Sequence, residues 1–286
     1  MKSMHELNYP ERLRLQIRND GIVPLIGVYD VFSASIAARH FNGLFLSGFS
    51  FAASFYGLPD IGFISWSDIT SLAQRIRHLL PHHHIVVDID DGYCDADVAC
   101  HVVGLLEQMG ISGVVLEDQK RPRRCGHLGG KQILELDVFM EKLERVLNHR
   151  RHLYIIARTD AVEPDEVMRR VVAFNATTAD AILVDGISDI AIISEIAALT
   201  TKPLVFNQIY GGKSPALSLT QLKALGISLV NYSTPCITAA QSAMFSALQK
   251  LKQQDGLLTE DLAPGVALTE CNNLLNENMR RDLHLK

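Results

Sequence analysis

The chain has 286 residues, 48% of them hydrophobic and 21% charged, with a formal net charge of −5. That balance buries a sizeable core, excludes extended disorder, and suits one α/β barrel, which needs roughly 250 residues. The acid excess and the lack of a basic stripe argue against a nucleic-acid partner, and no apolar run approaches the ~20 residues of a membrane span. The first twenty residues are mixed and charged, without the apolar stretch of a secretory signal. Five cysteines without regular spacing suit a reducing compartment, so a cytoplasmic location is expected.

Eight short runs rich in Val, Ile and Leu recur along the chain, at 25–30, 43–48, 85–90, 113–118, 154–160, 181–186, 204–208 and 228–233. Each is bounded by Gly, Pro or polar residues, as are strands buried on both faces of a parallel sheet. Between them, apolar spacing predicts helices over 67–80, 96–109, 137–147, 164–174, 189–199, 219–225 and 236–251. Strand–helix alternation repeated eight times predicts a closed (β/α)8 TIM barrel in preference to an open doubly wound sheet. The first run is followed by Tyr29-Asp30-Val31-Phe32-Ser33, not by the glycine fingerprint of a nucleotide-binding sheet. Residues 1–286 thus form one barrel domain, with 255–286 as a C-terminal helical extension carrying a last polar helix over 268–283. That tail is expected to pack on the barrel or on a neighbouring subunit.

In such a barrel the C-terminal ends of all strands converge on one face, which holds the active site. The residues at those ends are Ser47 and Gly48, Asp88 and Asp90, Glu117 and Asp118, Arg158 and Asp160, Asp185, Asn207, and Ser233. An acid after a strand often caps the next helix. A single Asp would be explained that way, but four consecutive strands ending in charged groups gather more acid than capping requires. Asp88 and Asp90, two apart, are predicted to face one side of their strand, with Glu117 on the next. Carboxylates that close repel unless a cation sits among them, and oxygen ligands select Mg²⁺ or Mn²⁺. Such an ion would chelate a 2-oxo or 2-hydroxy acid and stabilise a developing enolate. Asp60 lies in a turn after the second strand, on the same face. His82, His83 and His84 precede the third strand, at the opposite end of the barrel, and read as a solvated turn.

The loop after the fourth strand, residues 117–131, places Cys125 behind Lys120, Arg121, Arg123 and Arg124, with His127 two residues on. Nearby positive charge lowers a thiol pKa, which would make Cys125 a competent acid or base. The glycines at 126, 129 and 130 permit a mobile lid.

The pieces Leu46-Ser47-Gly48, Gly57-Leu58-Pro59-Asp60, Val87-Asp88-Ile89-Asp90, Leu116-Glu117-Asp118-Gln119, Arg124-Cys125-Gly126-His127, Ala157-Arg158-Thr159-Asp160, and Asn207 followed by Gly211-Gly212-Lys213-Ser214-Pro215 occur in this order. Together the chain resembles the isocitrate lyase and phosphoenolpyruvate mutase superfamily over nearly its whole length. The Cys-Gly-His loop places it on the lyase branch, with methylisocitrate and dimethylmalate lyases. The resemblance implies a (β/α)8 barrel whose eighth helix is swapped between subunits of a dimer, two dimers forming a homotetramer. It implies Mg²⁺ near Asp60, Asp88, Asp90 and Glu117. It also implies substrate binding by Ser47, Gly48 and Phe49, with Arg158 and Asn207 on the carboxylates.

Asp185 and Ser233 complete the substrate-binding set and, like Phe45 and Phe49, depart from the residues usual in relatives. The bulk of Phe49 favours a substrate smaller than a tricarboxylate. The expected reaction is a retro-aldol or retro-Claisen cleavage of a 2-hydroxy acid. Cys125 protonates the departing fragment, Arg124 and His127 tune Cys125, and Glu117 completes the catalytic set. The rivals on the same scaffold are an oxaloacetate hydrolase or decarboxylase and, disfavoured by the Cys-Gly-His loop, phosphorus–carbon bond chemistry.

Overall fold

The computed structural model describes residues 7–263 and 265–280. Eight strands, β1 (Val23–Val28), β2 (Gly43–Leu46), β3 (His84–Asp88), β4 (Gly113–Glu117), β5 (Tyr154–Thr159), β6 (Ala181–Val184), β7 (Leu204–Asn207) and β8 (Ile227–Tyr232), pair in chain order as a closed parallel barrel, with β8 back on β1. All eight fall on the predicted runs. The predicted ends overran by one or two residues, because the polar residues after each strand belong to the loops. α4 (Trp66–Leu79), α5 (Ala96–Gln108), α6 (Leu136–His149), α7 (Pro164–Asn175), α8 (Ile190–Leu199) and α9 (Leu219–Ala224) cover the outside. α10 (Pro235–Gln253) and α11 (Leu268–Arg280) follow, and the predicted last helix beyond residue 280 lies outside the described residues.

Strand side chains alternate between two cores. The outward set, including Ile26, Leu44, Ile85, Val87, Val114, Leu116, Ile155 and Ile182, packs under the helices. The inward set, Leu25, Phe45, Val86, Val115, Tyr154, Ile156, Ala181, Leu183, Val205 and Leu229, fills the barrel. Its floor is α1 (Tyr9–Asp20), which contributes Leu13 and Ile17 to that inner core. Asn8 caps α1 in a reciprocal box with Glu11, and Pro10 sits in its first turn. Three aliphatic residues, Leu13, Leu15 and Ile17, on an otherwise charged helix made α1 invisible to periodicity. α2 (Val31–Ala37), capped by Asp30, and the short α3 (Gly48–Phe51), which runs into a π-turn over Ala52–Tyr56, are further helices that the sequence did not announce.

The histidine tract is not the solvated turn expected. Only His82 is exposed; His83 and His84 are buried at the barrel floor. His83 Nε2 lies 3.0 Å from the Ala38 carbonyl, and Arg77, stacked 4.0 Å from the Tyr9 ring, donates to the His83 carbonyl at 2.9 Å.

α10 and α11 differ from the helices that cover the barrel. Neither has a buried residue, and on α10 Met244, Phe245 and Leu248 are 55%, 68% and 65% exposed. Between α2 and the start of α10 lies an apolar groove of about 650 Å³, lined by Ile26, Phe32, Ile36, Phe41 and Ala240 among others. Among the described residues no helix is long and apolar enough to cross a membrane.

Burial pushes the His84 imidazole down from 6.5 to about 4, and Arg77 and His83 act in the same direction. A depressed histidine stabilises the fold above its unfolded pKa and loses that contribution as pH falls, here between 6.5 and about 4. Relative to His84→Asn, the wild type should lose about 3 kcal/mol across that window. Urea unfolding of both proteins from pH 7 to 4 measures the difference, and parallel curves would sink the assignment.

Candidate active site

The inward alternation continues past the apolar layer. Two residues beyond Phe45, Val86, Val115, Ile156, Leu183 and Val205 stand Ser47, Asp88, Glu117, Arg158, Asp185 and Asn207. On β8 the series runs Leu229, Asn231, Ser233. Each of these polar residues is buried. The pleat thus delivers a ring of polar groups to the C-terminal mouth of the barrel, where the sequence placed them.

On one side of the mouth four carboxylates meet. Asp60, Asp88 and Asp90 converge on Gly48, where an added Cβ would stand 3.3 Å from Asp90 Oδ1, 3.6 Å from Asp88 Oδ2 and 3.9 Å from Asp60 Oδ1. A side chain at this position would sit in contact with all three carboxylates. Asp90 does not reach the cluster by the strand alternation that the sequence predicts. β3 ends at Asp88, and Asp90 turns back in a left-handed conformation, φ 52°, that Asp tolerates, its N–H donating to Asp88 Oδ1 at 3.1 Å. The cation among these groups is Arg123, 1% exposed. It forks onto Asp60, onto Glu117 Oε1 at 2.8 Å and onto Asp90 Oδ1 at 3.3 Å.

On the other side Arg158 donates to Asp160 at 2.9 and 3.1 Å and to Asp185 Oδ2 at 2.8 Å, and lies 3.2 Å from Glu117. Lys131 joins Asp160 at 2.9 Å. Asn207 donates to Asp185 Oδ1 at 2.9 Å and accepts from the Ser233 hydroxyl at 2.7 Å, so Ser233, Asn207, Asp185 and Arg158 form one chain. Although burial opposes ionisation, Arg158 and His127 hold the Asp185 carboxyl well below the usual carboxylate range. His127 Nδ1 accepts the Lys213 N–H at 3.1 Å, which puts the neutral-ring proton on Nε2, 3.4 Å from Asp185. Behind the ring, Asp118 accepts the Asp160 N–H at 2.9 Å and pairs with the buried Arg170 at 2.8 Å.

The loop after β4 lies closed over this mouth. At Gly126 an added Cβ would fall 1.8 Å from Asp185 Oδ2 and 2.6 Å from both Arg158 Nη2 and Asp160 Oδ1. The remaining cavity, with Phe49 and Ile209 as its apolar walls beside Cys125, Arg158, Asn207 and Ser233, is about 20 Å³. It admits about one water, so a carboxylic acid enters only after the loop lifts.

Two loop expectations are corrected. Arg124 does not reach the mouth. Its guanidinium turns back to the Arg123 carbonyl at 3.0 Å, and its N–H is held by Gln119. The neighbour that points inward is Arg123, which the sequence reading passed over because four basic residues in one loop look alike. Cys125 is not a lowered thiol. Burial pushes it up to about 11, with Asp185 and Asp60 adding to the rise, and the surrounding arginines do not reverse this. The thiol is therefore protonated at neutral pH.

The donor chemistry fits a hard divalent ion. Six carboxylates (Asp60, Asp88, Asp90, Glu117, Asp160 and Asp185) face three permanent cations, Arg123, Arg158 and Lys131. Burial raises Asp88 and Asp90 and pushes Glu117 up to about 8. Asp90 Oδ1 and Glu117 Oε2 lack a hydrogen-bond partner. The spacing, however, is set by Arg123, and among the described residues no group of His, Cys, Asp and Glu is laid out as a ready metal cage.

Because all three atoms facing Gly126 belong to ion-paired, buried side chains, Gly126→Ala should keep the barrel but prevent the loop from seating. Hydrogen exchange of amides 120–130 should then be faster than in the wild type, with strand protection unchanged. Equal loop protection in the two proteins would refute this.

The family model described as phosphoenolpyruvate phosphomutase matches residues 13–252. The petal death protein of Dianthus caryophyllus is 30% identical over 266 residues, 91% of this chain and 83% of that protein. The 2,3-dimethylmalate lyase of Eubacterium barkeri is 27% identical over 257 residues, 87% of this chain and 88% of its own. Among solved structures, oxaloacetate acetylhydrolase in complex with 3,3-difluorooxalacetate superposes with a TM-score of 0.89 at 27% identity, covering 96% of each chain. The matched stretch includes every strand and every polar residue at the mouth: the chain belongs to the phosphoenolpyruvate mutase and isocitrate lyase superfamily.

Proposed function

We propose that this protein is a Mg²⁺-dependent carbon–carbon lyase. It cleaves a 2-hydroxy di- or tricarboxylate, of the methylisocitrate, isocitrate or dimethylmalate type, into a 2-oxo acid and a second carboxylate. The observation that carries the reading is a protonated thiol, Cys125, in the same closed cavity as Arg158, Asn207 and the acidic cluster. The relative named 2,3-dimethylmalate lyase supports the reaction class.

Asp60, Asp88, Asp90 and Glu117 would hold the ion, which supplies Lewis acidity at the reacting oxygen. Arg158 and Asn207, fixed through Asp185 and Ser233, bind carboxylate. Ser47, Gly48 and Phe49 close the cavity at the other end. Glu117, held ionised beside the bound cation, would accept the substrate hydroxyl proton. The carbon–carbon electron pair leaves with the departing fragment, and the Cys125 thiol donates its proton to that carbon. A proton returned from Glu117 through water restores the thiol, so the net transfer is from hydroxyl to carbon. Closure of the loop keeps solvent from the carbanion.

A second reading, oxaloacetate hydrolysis, is favoured by the structural likeness to oxaloacetate acetylhydrolase and by the narrowing of the cavity at Phe49. One assay separates the two. A panel of 2-hydroxy and 2-oxo di- and tricarboxylates with Mg²⁺ is followed for pyruvate, glyoxylate, oxalate and succinate, in wild type and Cys125→Ser. The lyase reading expects a 2-oxo acid product, loss of turnover on chelation, and a kcat reduced about 10²–10⁴-fold in the serine variant. Near-wild-type turnover in Cys125→Ser, or oxalate as the product, would overturn it.

The proposal extends to assembly. A second copy's α10 fills the apolar groove between α2 and α10, giving a swapped dimer within a homotetramer. What supports this is the exposed face of Met244, Phe245 and Leu248 and the uncovered groove. Light scattering at micromolar concentration should give a multiple of the chain mass, and a monodisperse monomer would contradict it.

A further inference from the structure

The floor of the barrel holds a second group of polar side chains, which the chemistry at the mouth does not use. Between α1 and the start of β3 lies a cavity of about 400 Å³, whose polar wall includes Arg12, Gln16, Asn19, Asp20, Asn42 and His84. His84 opens β3 and shares one face of that strand with Val86 and Asp88. The cavity thus lies at the far end of the strand that delivers Asp88 to the mouth, with the inner core between them.

Buried nitrogens collect here without partners. His84 is 6% exposed, and its Nδ1 makes no hydrogen bond. Arg77, 7% exposed, gives Nη1 to the Leu80 and His83 carbonyls, while its Nε and Nη2 are unpartnered. The guanidinium carbons of Arg77 and Arg12 stand 4.0 and 5.3 Å from the centroid of one ring, Tyr9. An aromatic face therefore brings these two cations together. Burial, then Arg77, His83 and Arg12, hold the His84 imidazole neutral, and Asp20 opposes them. Asp20 is the one acid in the cavity wall among the described residues, and its Oδ2 already accepts from Gln16 at 3.0 Å. Lys223 of α9 reaches the Asp20 carbonyl at 2.7 Å, and His82 stands in the same wall, so the surroundings are richer still in donors.

Buried donors in excess of acceptors, beside open volume, suit an anion that accepts from several of them at once. We propose that the floor cavity is a binding site for a small oxyanion, a phosphate or carboxylate group, with Arg12 and His84 as its direct contacts and Arg77 supplying charge from behind. His84 takes up a proton from solvent as the anion enters, because an opposite charge favours the imidazolium. Asp20 and the amides of Gln16, Asn19 and Asn42 suit a ligand that carries hydroxyl or amino groups as well. Such a ligand sits a barrel's depth from the mouth and does not compete with the substrate there, so the site is independent of the lyase reading.

The test uses the full chain labelled with ¹⁵N at histidine, with the His84 signals assigned by their absence in His84→Asn. At about pH 5, where a group with a pKa of about 4 is mostly neutral, the protein is titrated with sulfate or malonate at constant ionic strength. Sulfate stands in for a phosphate group and malonate for a carboxylic acid. The His84 ring signals should move saturably from imidazole toward imidazolium with at least one of them, and the tighter of the two identifies the head group. Arg12→Gln should raise the half-saturating concentration about ten- to a hundredfold, as expected for one hydrogen bond between charged groups. His84 signals that neither anion moves, or that drift without saturating, overturn the proposal. So does an unchanged half-saturation in Arg12→Gln. Should that variant fail to fold, the wild-type titrations decide alone.

Discussion

Like charges buried together at the ends of parallel strands are what the rest of this molecule accommodates. Neighbouring strands stand about 4.8 Å apart, and the barrel backbone does not let them spread. Asp88, Glu117 and Asp185 are therefore held at one mouth whatever their mutual repulsion, with Arg158, the register partner of Glu117, among them. Burying a carboxylate without a partner is expensive, and the barrel itself supplies only Arg158 among permanent cations at this level. The remaining charge arrives from the loop after β4, as Arg123 and Lys131, with the His127 ring against Asp185. Charge balance and closure of the mouth are consequently one problem with one solution.

The same enclosure decides what the thiol can do. In water, a cysteine flanked by arginines leans toward thiolate. Here the guanidinium of Arg124 turns back to the Arg123 carbonyl, Arg123 is engaged by acids, and Asp185 and Asp60 act on Cys125 against the single opposing charge of Arg158. Desolvation then dominates, and the group keeps its proton. A proton donor needs that state, whereas a nucleophile needs the opposite. The arrangement around the sulfur therefore favours giving a proton to carbon over attacking it.

How much of this was legible in the sequence follows from which positions are fixed by periodicity. Every strand was readable, since both of its faces are buried and its residues are apolar almost throughout. The polar ring was readable too. Ser47, Asp88, Glu117, Arg158, Asp185 and Asn207 each continue the two-residue alternation of their own strand, and geometry admits one direction for them. Asp90 was placed in the right cluster for the wrong reason, because a turn and not a strand carries it. What was not readable depends on tertiary choice. Nothing local says that Arg123 turns inward and Arg124 outward, that burial outweighs adjacent charge at Cys125, or that His83 and His84 are covered by α1 and its neighbours. α1 escaped notice because it plugs the barrel with only Leu13 and Ile17.

The alternation has a consequence for how such a protein tolerates change. Val86, Val115, Ile156, Leu183 and Val205 form the layer on which the polar ring stands, each two residues below its own strand's functional group. In a close-packed interior a lost or added methyl group is not absorbed where it occurs, since neighbouring atoms shift to meet it. Here the shift is transmitted along a strand to a carboxylate or guanidinium held among fixed partners, where misplacement of an ångström is costly to chemistry. Drift in this hidden layer therefore displaces the groups at the mouth without replacing any of them. An aliphatic residue that lines no part of the cavity is still part of its geometry.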